Sequence, residues 1–338
     1  EILIGLVGSE MCIRDRVFMS EFQIKYASRK VSLILDNGIV DKSWYFLPLN
    51  RRFLVITDTN LIKLYDKLLS TIPNLITIIS IKSSEIAKSL HVYEKLIHTL
   101  QKEKLTKDDI IIAFGGGVIG DLTGFIASTY LRGIDYIQIP TSLIAQVDAS
   151  IGGKCGINYQ YKNAIGTIYQ PLQIIIDTNF LKTLPQVEFN NGMAEFIKYG
   201  FIFDNSIIDD IQKFHFPFKK ELFLSLIERC VKIKMDISKK DEFGQNESHL
   251  LDFGTTYAHI IEVNSKFKVS YGQALAYGMF YELKHSPFQE TLLLLLKKYH
   301  LDDELEKWNI ENETCITPNN IRIELQEIGK AKLKEDIK

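Results

Sequence analysis

Three consecutive glycines, Gly115-Gly116-Gly117, follow the apolar run Ile110 to Phe114 and precede Val118-Ile119-Gly120-Asp121. An apolar β-branched run that breaks into glycines and then into helix-forming residues reads as a buried strand, a tight turn and a helix. There the backbone N–H groups can approach a pyrophosphate while the helix N-terminus supplies partial positive charge. The same turn also serves as a ligand-free strand-to-helix connection, and its spacing is not G-x-G-x-x-G. The polar residues nearby carry the same double reading. Asp121 suits a site or a helix cap. Thr141 and Ser142 suit a site or the turn after Pro140, and Lys88 suits a site or an exposed helix face. Lys154, inside Ser150-Ile151-Gly152-Gly153-Lys154, is the lysine least suited to a solvated surface.

The elements that must position these residues fall into two halves. Phe53 to Thr57, Leu75 to Ile81, Asp109 to Phe114, Tyr136 to Ile139 and Ile174 to Asp177 read as strands. Thr59 to Leu69, Ser84 to Gln101 and Gly120 to Tyr130 read as helices between them, the alternation of a mostly parallel α/β sheet. After Pro185 glycine thins and the period becomes helical. This covers Phe189 to Phe203, Ser206 to Phe214, Lys220 to Lys239, Thr255 to Ser265 and Gln273 to His285, with Leu292 to Leu296 a buried helix rather than a membrane span. The expected organisation is an α/β domain over residues 19–185 and an all-α domain over 186–338. The string VGSEMCIRDR reads as a translated adapter fragment, so residues 1–18 are expected to be non-native and Met19 the start.

Composition narrows the class. The 338 residues are 46% hydrophobic, enough for one large core or two ordinary ones. A net charge of -2 without long single-sign blocks argues against nucleic acid or a membrane surface as partner and for a small substrate. Cys12, Cys155, Cys230 and Cys315 show no paired spacing, which excludes a thiolate zinc motif or disulfide framework and fits a reducing cytoplasm.

The run GGGVIGDLTGFIASTYLRG followed by IPTSLIAQVDASIGGK resembles the core signature of the 3-dehydroquinate synthase family of sugar phosphate cyclases. The likeness continues through KNAIGTIYQP, LKTLP and GMAEFIKYG, spans about residues 50–285, and returns faintly in IRIELQEIGKAKLKEDI. It implies a dinucleotide-binding α/β domain and a helical domain. The implied reaction is that of a phosphate-eliminating lyase of the shikimate pathway, on the route to chorismate and the aromatic amino acids. Bound NAD oxidises a hydroxyl of a heptulosonate 7-phosphate, phosphate leaves, the hydride returns and the carbocycle closes to 3-dehydroquinate.

By resemblance, Asp58 and Asn60 match the adenosine-ribose side of the NAD site, Glu85 and Lys88 a second contact, and Gly116, Gly117, Val118 and Asp121 the pyrophosphate. Thr141, Ser142, Asp148 and Lys162 match the nicotinamide half, while Phe180, Thr183, Leu184 and Glu188 close it. Arg132, Lys154, Lys198, Lys234 and Asn163 match positions that hold the phosphorylated carboxylate substrate, with Arg132 reaching across a homodimer interface.

The family's divalent ion, zinc or cobalt, is held by one glutamate and two histidines and acts as a Lewis acid. Glu195 matches the glutamate, but Thr255 and Tyr271 stand at the histidine positions. Asp252, Ser248 and Gly244 replace a substrate-binding asparagine, an arginine and a glutamate, and a lysine pair before Ile321 is missing. His259 lies one helical turn from Thr255 on the same face. It suits proton handling, a changed oxygen-rich metal site with Glu195, Asp252 and Tyr271, or a hydrogen-bonded role behind the site. Three functions follow: an active cyclase, an NAD-binding paralogue without turnover, and an NAD-dependent polyol dehydrogenase on the same two-domain fold.

Overall fold

The computed structural model describes residues 20–41, 43–214, 220–303 and 321–335. Residues 1–18, Met19, Cys12, Cys315 and the segment before Ile321 lie outside the described residues.

The first half is built on a seven-stranded sheet of order β1-β2-β9-β6-β5-β3-β4. Its strands are β1 (Ser20–Lys25), β2 (Lys30–Asp36), β3 (Phe53–Asp58), β4 (Leu75–Ile81), β5 (Ile110–Gly115), β6 (Asp135–Pro140) and β9 (Gln173–Asp177). All pairs are parallel except the edge hairpin β1–β2. β5 is buried along its whole length, as expected for a parallel strand covered on both faces. Helices α1 (Thr59–Leu69), α2 (Leu90–Lys102) and α3 (Gly117–Thr129) connect them.

Chain order decides where a ligand can sit. After β3 the chain adds β4 on one side and then β5 on the other, so the connections diverge between β3 and β5 and open a crevice at their carboxyl ends. The glycine turn ends β5 at that point.

Two expectations need correction. The single helix expected from Ser84 to Gln101 is broken: a 3-10 turn spans Glu85–Ala87, Lys88 turns out of helical geometry, and Ser89 caps α2 through Val92 N–H. The break lets Lys88 bury its chain, 2% exposed, against Asp121 instead of solvent. The helix after the glycines begins at Gly117 rather than Gly120, because Gly116 takes the extended N-cap geometry. The edge hairpin β1–β2 and a second hairpin, β7 (Lys154–Tyr159) with β8 (Tyr161–Ile168), were not expected.

The second half is helical, with α4 (Gln186–Ile202), α5 (Asn205–Lys213), α6 (Lys220–Lys240), α7 (Thr255–Asn264), α8 (Tyr271–Glu282) and α9 (Gln289–Lys298). It adds one hairpin to the expected all-helical pattern, β10 (Ile321–Glu327) with β11 (Lys330–Glu335). Helix α4 is buried from Phe189 to Ile202, which makes it the central rod of this half. Helices α7 and α8 cross where a side chain on Gly278 would place its Cβ 1.9 Å from the Gly254 carbonyl oxygen.

Candidate functional site

The glycine turn presents backbone rather than side chains to the crevice. Gly116 caps α3 without a side-chain hydrogen bond and no acidic residue occupies the first turn, so the helix end is open to an anion. Gly117 has room around it: an added Cβ would meet only the Ala149 Cβ, at 3.5 Å. By contrast a Cβ on Gly115 would lie 2.6 Å from Ile119, so that glycine is required by the turn itself.

Beside this turn is a cavity of about 420 Å³ lined by residues of both halves. Glu85, Lys88, Gly116, Gly117, Val118, Asp121, Ser142, Asp148, Lys154, Lys162, Asn163, Glu188, Lys198, Lys234, Asp252, Thr255, His259 and Tyr271 all face it. A second cavity of about 600 Å³ shares Asp121, Lys154 and Asn163 and continues under the β7–β8 hairpin.

Other residues singled out in the sequence lie elsewhere. Asp58 ends β3 beside Gly115 and caps α1, accepting from Asn60 N–H at 2.7 Å and Leu61 N–H at 3.0 Å. Thr141 is buried, its N–H on the Gly115 carbonyl at 3.0 Å. Phe180 packs edge-on against Phe114 and Tyr65, and the Tyr65 hydroxyl meets Thr183 Oγ1 at 2.7 Å. Leu184 follows in a turn back to Leu181. Arg132 is exposed at a left-handed turn, with φ 64, outside this chain's cavity.

Inside the cavity, charge is compensated pair by pair. Lys88 Nζ contacts Asp121 at 2.6 Å and Glu85 at 3.4 Å, and donates to Asn163 Oδ1. Lys162 contacts Glu262 at 2.5 Å and lies 4.9 Å from the Tyr271 ring centre. Lys234 Nζ and the Tyr199 hydroxyl donate to Asp148 Oδ1 at 2.7 and 2.8 Å. Lys198 contacts Glu195 Oε2 at 2.7 Å, and the Tyr271 hydroxyl donates to Glu195 Oε1 at 3.0 Å.

These neighbours set the protonation states. Burial works against the charge of Asp148, yet Lys234 and Lys198 hold it well below the usual carboxylate range. Burial likewise opposes the ammonium of Lys198, but Glu195 and Asp148 raise its pKa. Lys154 differs. It is exposed at the start of β7, not shielded as its sequence context suggested, and makes no ion pair with a carboxylate among the described residues; partial desolvation beside the cavity, then repulsion from Lys234, lowers its pKa.

Burial, then the charges of Lys162 and Lys88, push the His259 imidazole from 6.5 down to about 4. It is therefore neutral at pH 7. The unfolded chain takes up this proton near pH 6.5 and the folded chain only near 4, so stability is intact above 6.5 and falls as the pH drops between these values. His259→Gln should flatten that acid limb, by on the order of 3 kcal/mol at pH 4. Denaturant unfolding at pH 4 and 7 measures it, and an unchanged limb would refute the assignment.

Three partners had not been singled out. Tyr199 and Glu262 orient Asp148 and Lys162, and Tyr65 braces Phe180 and Thr183. Glu262 carried a signal, three residues beyond His259 and seven beyond Thr255 on one helix face. The partners of Tyr199 and Tyr65 are distant in sequence and left none.

No group of three or more His, Cys, Asp or Glu that could hold a metal ion occurs among the described residues. Nor does any described helix have the length and apolarity to cross a membrane.

Comparison with known proteins follows this two-part layout. Residues 78–191 match the family model described as 3-dehydroquinate synthase N-terminal, and residues 192–319 the one described as 3-dehydroquinate synthase C-terminal. The 3-dehydroquinate synthase of Clostridium kluyveri is 44% identical over 277 residues, 77% of this chain and 75% of that protein. That of Clostridium acetobutylicum is 35% identical over 315 residues, 87% of each. That of Clostridium tetani is 38% identical over 248 residues, 72% of this chain and 66% of that protein.

Among solved structures, the 2-epi-5-epi-valiolone synthase of Streptomyces hygroscopicus, with NAD+ and Zn2+ bound, superposes with TM-score 0.80 at 22% identity. The match covers 94% of this chain and 95% of that one. A 2-deoxy-scyllo-inosose synthase complexed with carbaglucose-6-phosphate, NAD+ and Co2+ gives 0.79 at 22% identity, over 93% and 94%. At that identity the shared property is the fold. With both halves matched in order along one chain, and the same two-part fold in solved sugar phosphate cyclases, the protein belongs to the 3-dehydroquinate synthase family.

Proposed function

We propose that this chain binds NAD at the glycine turn and converts a heptulosonate 7-phosphate to 3-dehydroquinate and phosphate. One observation carries the reading: an open helix N-terminus and the ammonium of Lys154, which has no carboxylate partner among the described residues, face the same cavity. The residues present fit a dinucleotide. The first-turn N–H groups from Gly117 and Val118 would hold its pyrophosphate, and Gly117 leaves the space a close backbone approach requires. Asp58 and Asn60 flank the adenosine side, and Ser142, Asp148 and Lys162 the nicotinamide side. NAD supplies a reversible hydride acceptor there.

The chain's own groups divide the remaining work. Lys154 takes an anionic group of the substrate, with Asn163 beside it. The ammonium groups of Lys198 and Lys234 stay fixed by Glu195 and Asp148 and add positive potential without moving. His259, neutral at pH 7, accepts a proton at its ring nitrogen as a substrate hydroxyl is oxidised. Arg132, exposed on this chain, would serve the partner's pocket in a homodimer. A cytoplasmic location agrees with the reduced, buried Cys155 and Cys230.

A divalent ion does not fit the residues present. The glutamate that would hold it has Oε2 against an ammonium and Oε1 against a phenol, and Thr255 directs its hydroxyl to the Leu251 carbonyl at 3.4 Å. No step is routed through a metal.

The pure protein, supplied with NAD and the heptulosonate phosphate, should release inorganic phosphate. Gly117→Val, whose Cβ meets only the Ala149 Cβ, should keep its melting temperature, lose roughly tenfold or more in NAD affinity and lose turnover with it. NAD binding without phosphate release would sink the catalytic reading. It would establish the second one, favoured by the Tyr271–Glu195 bond: a protein that binds NAD and an anion without turnover.

A further inference from the structure

We infer that Glu195 serves as an internal counter-ion rather than a metal ligand: the Lys198 ammonium faces one of its oxygens as an ion pair, Tyr271 donates a hydrogen bond to the other, and this chain binds no divalent cation there. Glu195 and Lys198 lie three residues apart on helix α4, and the helix repeat brings their ends together at 2.7 Å. Both are buried, Glu195 with no exposure and Lys198 at 2%. A buried carboxylate requires a compensating charge, and here the same helix supplies it three residues on.

The second oxygen is closed from another element. Tyr271 is the first residue of α8, and its phenol donates to Glu195 Oε1 at 3.0 Å. A phenol is a poor ligand for a borderline cation, and this one already spends its hydroxyl on Glu195. Thr255, which lines the same cavity as Tyr271 and stands at the other family ligand position, offers a neutral hydroxyl already bonded to backbone. Zinc and cobalt favour imidazole, thiolate or carboxylate donors, and two of the three side chains at the family's ligand positions are of none of these types.

A consequence follows for the cavity. Among the described residues its positive potential comes from lysines and the open N-terminus of α3, so binding of NAD and of anions is independent of divalent ions and unaffected by a chelator. Two solved structures of the same fold carry Co2+ or Zn2+ together with NAD+. The inference stands on the geometry of Glu195 and does not rest on the proposed reaction, so its test reads metal and stability, not turnover.

The test begins with the full chain, dialysed against chelator and titrated with cobalt and with zinc, followed by the visible cobalt spectrum and by calorimetry. No stoichiometric uptake is expected. One equivalent that is bound by the wild type and lost in Glu195→Gln would overturn the inference; one that survives Glu195→Gln sits elsewhere and upholds it. The double variant Thr255→His/Tyr271→His should gain one equivalent with a tetrahedral cobalt spectrum, and failure of that folded variant to take up metal would count against it. A double-mutant cycle gives a separate arm. Lys198→Met should lower the melting temperature by about 5 °C or more in the wild type and by far less in the Glu195→Gln background. Equal losses in both would overturn the counter-ion role.

Discussion

Lys154→Met should reduce kcat/KM for the sugar phosphate by about 10²–10³-fold while leaving NAD affinity within a factor of about two. The other cavity ammonium groups are already held by Asp121, Glu262, Asp148 and Glu195. Lys154 makes no such pair among the described residues, and Gly152 and Gly153, with φ 102 and 70, turn the chain so that it opens the β7–β8 hairpin beside the cavity. An arriving anion therefore gains a full charge-assisted contact there instead of competing with a carboxylate. Truncation should remove about 3–4 kcal/mol, the converted value of that fold-change.

The pH sign follows from the lowered pKa. Anion binding requires the protonated amine, so affinity should fall on the alkaline side at a lower pH than an ordinary lysine would give. Calorimetry with the sugar phosphate across pH 7–10 tests both parts. A loss of under threefold would refute the assignment, and Lys232→Met, a half-exposed lysine paired to Glu228, provides the neutral control.

The second large effect concerns packing. Gly278→Ala should cost about 3 kcal/mol or more and lower the melting temperature by roughly 6–12 °C. The added Cβ would fall 1.9 Å from the Gly254 carbonyl oxygen and 2.7 Å from its carbon, and backbone cannot swing aside as a flexible side chain would. Gly254 itself sits at φ 72, and its N–H donates to the half-buried Glu282 carboxyl group at 2.8 Å. The clash therefore strains a turn that is already specified from two directions. Because α7 carries Thr255 and His259 and α8 carries Tyr271, any relief by separating the helices also opens the cavity. Gly117→Ala, with its nearest contact at 3.5 Å, should shift the melting temperature little. Thermal unfolding of the two variants side by side decides the point, and equal melting temperatures would refute it.

The strands and helices that build the dinucleotide half were legible because their signals are local. Ile110 to Phe114 is an unbroken apolar run ending in glycines, and such a run has few places in a fold other than a buried parallel strand. The helix Thr59–Leu69 could be read from its ends, since Asp58 is a good cap. The break at Lys88 could not be read this way. Helical periodicity continues across it, and only the presence of Asp121 and Asn163 on other elements makes burying that ammonium favourable.

For the site, sequence determined which donors are available: glycines and a free helix end at β5, a set of lysines, one glutamate, and threonine and tyrosine where histidines would bind metal. These are matters of residue type, and no folding can give Thr255 or Tyr271 an imidazole. Tertiary structure decided how those donors are spent. Lys198 turns onto Glu195, Tyr271 reaches it from another helix, Lys234 and Tyr199 close on Asp148, and Lys154 has no carboxylate partner among the described residues. Such pairings depend on distances of a few ångströms between residues up to 86 positions apart, and charge compensation in a dry interior selects them only once the chain has folded.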